Sequence, residues 1–203
     1  MDLSIFSYNT FLGQRAENVY AWFLQSLSLP GAVAECGVFR GETSRELVKY
    51  LEENNIQKTL HMFDTFEGLP DVITAEEMAS ATGKVLTEGQ FACSFKTVVE
   101  QMRGLNQYVI HKGLFSVTFA TFSESLSFIH ADADLYLSTL DIIHLADKCL
   151  VPGGHIVFDD YNNPETPGVK LAIERNLNPD DYIILPSSST IQCFATKRTS
   201  PLK

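Results

Sequence analysis

Two short acidic clusters carry the most chemistry in this chain. Asp132-Ala133-Asp134 directly follows the apolar run Leu126 to Ala131, and Asp159-Asp160 directly follows His155 to Phe158. Both runs read as buried strands, and in open α/β sheets ligands bind beyond the carboxyl ends of the strands. With neighbouring strands about 4.8 Å apart, Asp132, Asp159 and Asp160 can converge at one edge. Three carboxylates gathered there repel one another unless they are protonated or bound to a cation. Oxygen ligands with no cysteine nearby suit Mg²⁺ or Ca²⁺, or else Mn²⁺. The alternative is ordinary capping and turn formation, and Asp134 by itself is read that way, as a cap or as support for the other three.

Two more strand-to-helix turns hold residues of interest. After Ala32-Val33-Ala34-Glu35-Cys36 comes Gly37, which permits a tight turn and close backbone approach to a ligand, and Gly41, beside which a helix can start. Glu35 suits a cationic ligand group such as the amine of an amino acid. The spacing is not G-x-G-x-x-G, so a dinucleotide pyrophosphate cradle is poorly supported. A plain turn would also explain both glycines. Asp64, at the end of Thr59 to Phe63, is placed to accept hydrogen bonds from ribose hydroxyls; the bland alternative is a turn or cap aspartate. The histidines say less: His61, His111 and His155 read as core residues and His144 as mid-helix, while His130 is a candidate for lining the acidic site.

These residues need a scaffold, and the apolar periodicity supplies one. Strands are expected at Ala32–Cys36, Thr59–Phe63, Tyr108–His111, Leu126–Ala131 and His155–Phe158. Helices are expected over Gly41–Glu53, Ser138–Leu150 and Val169–Asn176, the second opened by a capping-box-like Ser138 and Asp141. Tyr182–Leu185 and Thr190–Thr196 are close enough to form an antiparallel pair. Strands alternating with helices imply a mostly parallel sheet covered on both faces. The expected fold is therefore α/β, a Rossmann-like sheet closed by an antiparallel strand pair, in a single domain over residues 1–203. An amphipathic N-terminal segment (residues 1–29, with Val19, Trp22, Phe23 and Leu27) is expected to pack beside it. Residues 71–90 interrupt the rhythm after a strand's carboxyl end, where a lid over the site or a plain surface segment would fit.

Composition narrows the partners. Fifteen Lys+Arg stand against 25 Asp+Glu, a net charge of −10, which disfavours a nucleic-acid backbone or an anionic membrane surface. No apolar run approaches the roughly 18–20 residues of a membrane span. The start, Met1-Asp2-Leu3-Ser4, lacks the basic region of a secretory signal. Cys36, Cys93, Cys149 and Cys193 are widely spaced and read as reduced core thiols. A cytoplasmic protein is the simplest expectation.

Four segments carry a family resemblance: Ala34 to Gly41, Asp64 to Pro70, Asp132 to Thr139, and Val151 to Tyr161. The chain resembles the macrocin O-methyltransferase (TylF-type) family of S-adenosylmethionine-dependent enzymes over most of the stretch from Pro30 to Asn176. The resemblance implies a class I methyltransferase fold with S-adenosyl-L-methionine over the first two strand tips. It implies that Glu35 and Gly37 lie beside the donor's amino-acid end and that Asp64 binds its ribose. It further implies that Asp132, Asp159 and Asp160 hold Mg²⁺, that Asp132 is the base, and that the acceptor is a sugar hydroxyl. A smaller sugar, a glycan end or another vicinal diol fits as well, and a homodimer is the family-level expectation.

Two rival readings come from other classes. An apolar run followed by Asp-x-Asp also marks metal-dependent glycosyltransferases; Asp64 and Asp159-Asp160 argue against that. A methyltransferase-like fold kept only as a binding module is the other, opposed by the intact run of acids.

Overall fold

The computed structural model describes residues 11–70, 74–76 and 86–200, with the side chains of residues 11 and 12 left aside. Its elements alternate as the periodicity predicts. Helix α1 (Phe11–Ser26) leads into β1 (Ala32–Cys36), α2 (Glu42–Glu53), β2 (Leu60–Asp64), α3 (Phe95–Gln101), β3 (Tyr108–Lys112) and α4 (Phe115–Thr121). Then come β4 (Leu126–Ala131), α5 (Tyr136–Cys149), β5 (Leu150–Phe158), α6 (Pro167–Asn176), β6 (Tyr182–Pro186) and β7 (Cys193–Lys197).

The strands form one seven-stranded sheet in the order β3-β2-β1-β4-β5-β7-β6. The first five are parallel, and β7 inserts antiparallel between β5 and β6. β1 and β4 are buried along their whole lengths. That requires helices on both faces, which explains why neither strand shows apolar–polar alternation. One core layer joins Val19 and Phe23 of α1 and Leu47, Val48 and Leu51 of α2 to Val33, Phe128 and Val157. The other joins Ile142, Ile143 and Ala146 of α5 and Val169 and Ile173 of α6 to Ala34, Ile129 and Ile156. Side chains alternate between faces along a strand, so Glu35, His130 and Asp159 point to the α1/α2 side, as Val33, Phe128 and Val157 do.

Several details differ from the sequence reading; β7, for one, spans Cys193–Lys197 and not Thr190–Thr196. Helix α5 begins at Tyr136, with Leu135 as N-cap and no side-chain cap, so Ser138 lies inside the helix and the capping box does not form. β5 starts at Leu150, because Leu150 pairs with Leu126 before a register shift that absorbs Pro152-Gly153-Gly154 within the strand. Helices α3 and α4, 7 residues each, are too short to show a clear helical period in the sequence. Residues 71–73 and 77–85 of the expected lid lie outside the described residues. Its flanks meet, since Leu69 donates to the Gln90 carbonyl (2.9 Å) and Gly89 to the Leu69 carbonyl (2.9 Å).

The carboxyl ends of β1 and β4 press together at Gly37. Its φ is +89°, and a Cβ there would lie 1.8 Å from the Asp132 carbonyl oxygen. That oxygen belongs to backbone held by the Asp132 N–H bond to the Cys36 carbonyl (2.9 Å), so it cannot step aside. The glycine is thus demanded by the neighbouring strand as well as by the turn. Gly37→Ala is expected to cost about 2–3 kcal/mol, read as a lower urea midpoint with an unchanged m-value.

Candidate active site

Sheet register builds the site. Glu35 on β1 pairs with His130 on β4, and Ala131 on β4 pairs with Phe158 on β5. The next residues out, Asp132 and Asp159, therefore leave the sheet side by side, with Asp159 N–H bonded to the Ala131 carbonyl (2.8 Å). β4 is the middle strand of the three. His130 accordingly reaches both neighbours: Nδ1 lies 2.9 Å from Glu35 Oε1 and Nε2 lies 3.0 Å from Asp159 Oδ2. Ser44 of α2 donates its hydroxyl to the other Glu35 oxygen.

Helix α1 supplies a second cation. Arg15 Nη2 lies 3.1 Å from Asp159 Oδ2 and 3.8 Å from both Asp132 Oδ1 and Asp160 Oδ1. The turn before β7 adds Gln192, fully buried, whose Nε2 donates to Asp159 Oδ1 (2.6 Å) and to the Arg15 carbonyl (3.1 Å). Asn18 closes this ring by donating to Gln192 Oε1 (2.8 Å). Both oxygens of Asp159 are thereby engaged.

The charges settle unequally. Burial disfavours protonation of His130, but hydrogen bonds to Asp159 and Glu35 outweigh it and push its pKa up to about 10. Burial would likewise raise Asp159, yet His130 and Arg15 hold it down at about 2. On the outer side the balance reverses. Burial and the neighbouring carboxylates of Asp159 and Asp160 push Asp132 up to about 7. Asp134 is raised well above the usual range by burial and by Asp132 and Asp160. Asp160 is raised by burial against the pull of Arg15. Asp134 and Asp160 also hold left-handed backbone, with φ of +58° and +64°. Aspartate tolerates that conformation better than most residues, at a cost of about 1 kcal/mol or more.

A cavity of about 470 Å³ opens over this edge, lined among others by Arg15, Gly37, Asp64, Asp132, Asp134 and Asp160. Its volume falls in the range of small-molecule sites, roughly 300–1,000 Å³. The apolar wall includes Phe39 and Phe91, edge to face at 6.5 Å. Asp64 Oδ2 accepts from the N–H groups of Val38 (2.7 Å) and Phe39 (3.1 Å), tying the β1–α2 turn to the β2 tip. Two donor sets bring ligand atoms within 4.8 Å of one another among the described residues: Asp132, Asp134 and Asp160, and His130, Asp132 and Asp159. Only the first set is all oxygen and suits a hard divalent cation; in the second, both His130 nitrogens are already bonded to Glu35 and Asp159.

The structure thus brings Asp132, Asp159 and Asp160 together, all within reach of Arg15, and puts Gly37 and Asp64 on the cavity wall. Glu35 is 2% exposed and turned inward to Ser44 and His130, so its carboxylate stands behind the cavity. Asp134 caps no helix; its carboxyl group faces Asp160. Sequence reasoning missed Arg15, Ser44 and Gln192. Only Arg15 had a signal: it precedes Val19, Trp22 and Phe23 by four, seven and eight residues, a lone cation on the apolar stripe of α1.

This strand order, with its antiparallel seventh strand and a cavity over the carboxyl ends, defines a Rossmann-like methyltransferase fold of class I. The chain belongs to the macrocin-O-methyltransferase (TylF) family, which it matches over residues 13–179. It is 25% identical to mycinamicin III 3''-O-methyltransferase of Micromonospora griseorubida over 170 residues, covering 77% of this chain and 66% of that protein. It is 28% identical to demethyldecarbamoylnovobiocin O-methyltransferase of Streptomyces niveus over 144 residues, 66% of this chain and 54% of that one. The chain therefore spans between half and two thirds of these curated relatives. Among solved structures, the O-methyltransferase NovP superposes with a TM-score of 0.78 at 25% identity, covering 92% of this chain and 80% of that one. The calicheamicin methyltransferase CalS11 gives 0.78 at 20% identity, over 96% and 82%, a likeness of fold.

The His130 geometry has a consequence for stability. A folded-state pKa of about 10 against an ordinary 6.5 means that the contribution of protonated His130 is complete below pH 6.5 and is lost as pH rises toward 10. Urea unfolding of wild type and His130→Gln is expected to differ most below pH 6.5, with the gap closing across that window. A gap independent of pH would mean that the buried imidazole is neutral.

Proposed function

We propose that the protein transfers the methyl group of S-adenosyl-L-methionine to a hydroxyl of a sugar or other vicinal diol, on a small molecule or a glycan end, with Mg²⁺ at the acidic edge. The observation that carries this reading is the single cavity lined by Gly37 and Asp64 on one side and by Asp132, Asp134 and Asp160 on the other. Two substrates can meet there, one at each side. Family membership and the names of the relatives, O-methyltransferases of mycinamicin III and demethyldecarbamoylnovobiocin, support O-methyl transfer to a small-molecule acceptor.

In this reading the donor lies over the tips of β1 and β2. Gly37 admits its amino-acid end, and Asp64, anchored by three backbone N–H groups from Val38, Phe39 and Phe66, takes a ribose hydroxyl with its one remaining lone pair, on Oδ1. Glu35 contributes from behind, through Ser44 and His130. Asp132, Asp159 and Asp160 would hold the metal. The donor, when bound, supplies a sulfonium methyl, and the metal supplies charge that makes an acceptor hydroxyl more acidic. Asp132 would receive the hydroxyl proton, while the methyl–sulfur bond breaks as the oxygen–methyl bond forms and the thioether, S-adenosylhomocysteine, leaves. Phe39, Phe91 and Phe115 line the cavity and help to keep water out. A net charge of −10 agrees with an acceptor other than nucleic acid. A homodimer and a cytoplasmic location rest on the resemblance and composition.

Thermal unfolding tests the donor. S-adenosylhomocysteine at about 100 times its dissociation constant adds about 2.7 kcal/mol, a rise in Tm of about 5–11 °C for a domain of this size. Asp132→Asn is expected to keep that rise and to lose methyl transfer to a panel of glycosides and vicinal diols, followed by mass. A Mn²⁺-dependent rise with a nucleotide sugar and none with S-adenosylhomocysteine would replace this reading with glycosyl transfer.

A further inference from the structure

We propose that Arg15 is the built-in counter-charge of the acidic edge, competing with a divalent cation for the same carboxylates, so that the charge at position 15 sets the metal affinity of the site. The inference rests on the reading above that Asp132, Asp159 and Asp160 take that cation.

One guanidinium nitrogen meets all three of these residues, at 3.1 Å from Asp159 and 3.8 Å from Asp132 and Asp160. A divalent ion drawing ligands from this set would lie within a few ångströms of that charge, where repulsion inside a protein far exceeds its value in water. The Asp159 carboxylate is also spoken for. Oδ2 faces His130 and Arg15, and Oδ1 faces Gln192 and, at 3.4 Å, Arg15 Nε. For Asp159 to turn a lone pair to a metal, one of these partners must let go.

The two cations are not equally free to do so. His130 is fixed at both ring nitrogens between β1 and β5 and is 3% exposed. Arg15 reaches the cluster on a long flexible side chain, lines the open cavity and has its side chain 18% exposed. Its helix does not depend on the guanidinium for anchorage. Val19 and Phe23 are buried in the core, and Trp22 stacks on Phe194 at 5.1 Å. The guanidinium can therefore swing into the cavity while α1 stays docked. Arg15 is the displaceable counter-ion and His130 the permanent one.

The test is direct titration with Mn²⁺ alone, followed by loss of the free-ion electron paramagnetic resonance signal, so that no methyl donor or acceptor is involved. Wild type, Arg15→Gln, Arg15→Lys and Asp132→Asn are compared, with near-ultraviolet circular dichroism to show native packing. Arg15→Gln is expected to bind Mn²⁺ at least about tenfold more tightly than wild type. Arg15→Lys keeps the charge and is expected to stay within about threefold of wild type. Asp132→Asn is expected to abolish the binding. If wild type binds and Arg15→Gln binds no more tightly, the inference fails and the metal site stands. Equal tightening by Arg15→Lys would also overturn it, because charge would not be the cause. If none of the chains with an intact Asp132 binds, the metal reading fails and this inference with it.

Discussion

A cation buried between two carboxylates holds the working edge of this protein together. Glu35 lies on β1 and Asp159 directly follows β5, the two strands that flank β4, and each is almost fully withdrawn from water. Two anions so placed are tolerable only with a positive partner and hydrogen bonds for their remaining lone pairs. His130 satisfies both at once because the strand order sets β4 between β1 and β5. Ser44 completes Glu35, and Gln192 and Arg15 complete Asp159, so α2, the β6–β7 turn and α1 are all tied to one imidazole. The antiparallel β7 thereby has a local chemical role as well as a place in the sheet.

Outward from that network the charges are left in excess. Asp132, Asp134 and Asp160 face a cavity and each binds its proton more tightly than an ordinary carboxylate. Two of the three stand in left-handed backbone. Left-handed backbone at two of these positions and crowded carboxylates at all three, next to open volume, are the pattern expected where a ligand completes a site. The inner carboxylates are bonded at both oxygens, whereas the outer ones crowd one another at the cavity wall.

The apolar end of the cavity follows from the same topology. β1 and β2 end beside each other, and Asp64 clamps the β1–α2 turn by accepting two backbone N–H groups. With the turn fixed, Phe39 projects at the rim and meets Phe91. The carbonyl oxygen of Asp132 fills the space beside Gly37, so the β1–α2 turn and the acidic edge meet in tight backbone contact.

Much of this was legible in the residues. Apolar runs located all seven strands, most plainly β1 and β4, where burial on both faces leaves little but apolar residues between turns. The acids after β4 and β5 were legible for the same reason: a strand end announces where its next residue emerges. Short α3 and α4 were not, since seven residues hold too few turns to establish a period. Arg15, 117 positions before Asp132 in the chain, met the acids only through the docking of α1, and Gln192 only through insertion of β7 beside β5. Sequence alone determined the sheet, its edge and the acids that line it, because those follow from local periodicity. Tertiary structure alone decided which cations answer those acids, because charge compensation acts through space across strands and helices that no local spacing relates.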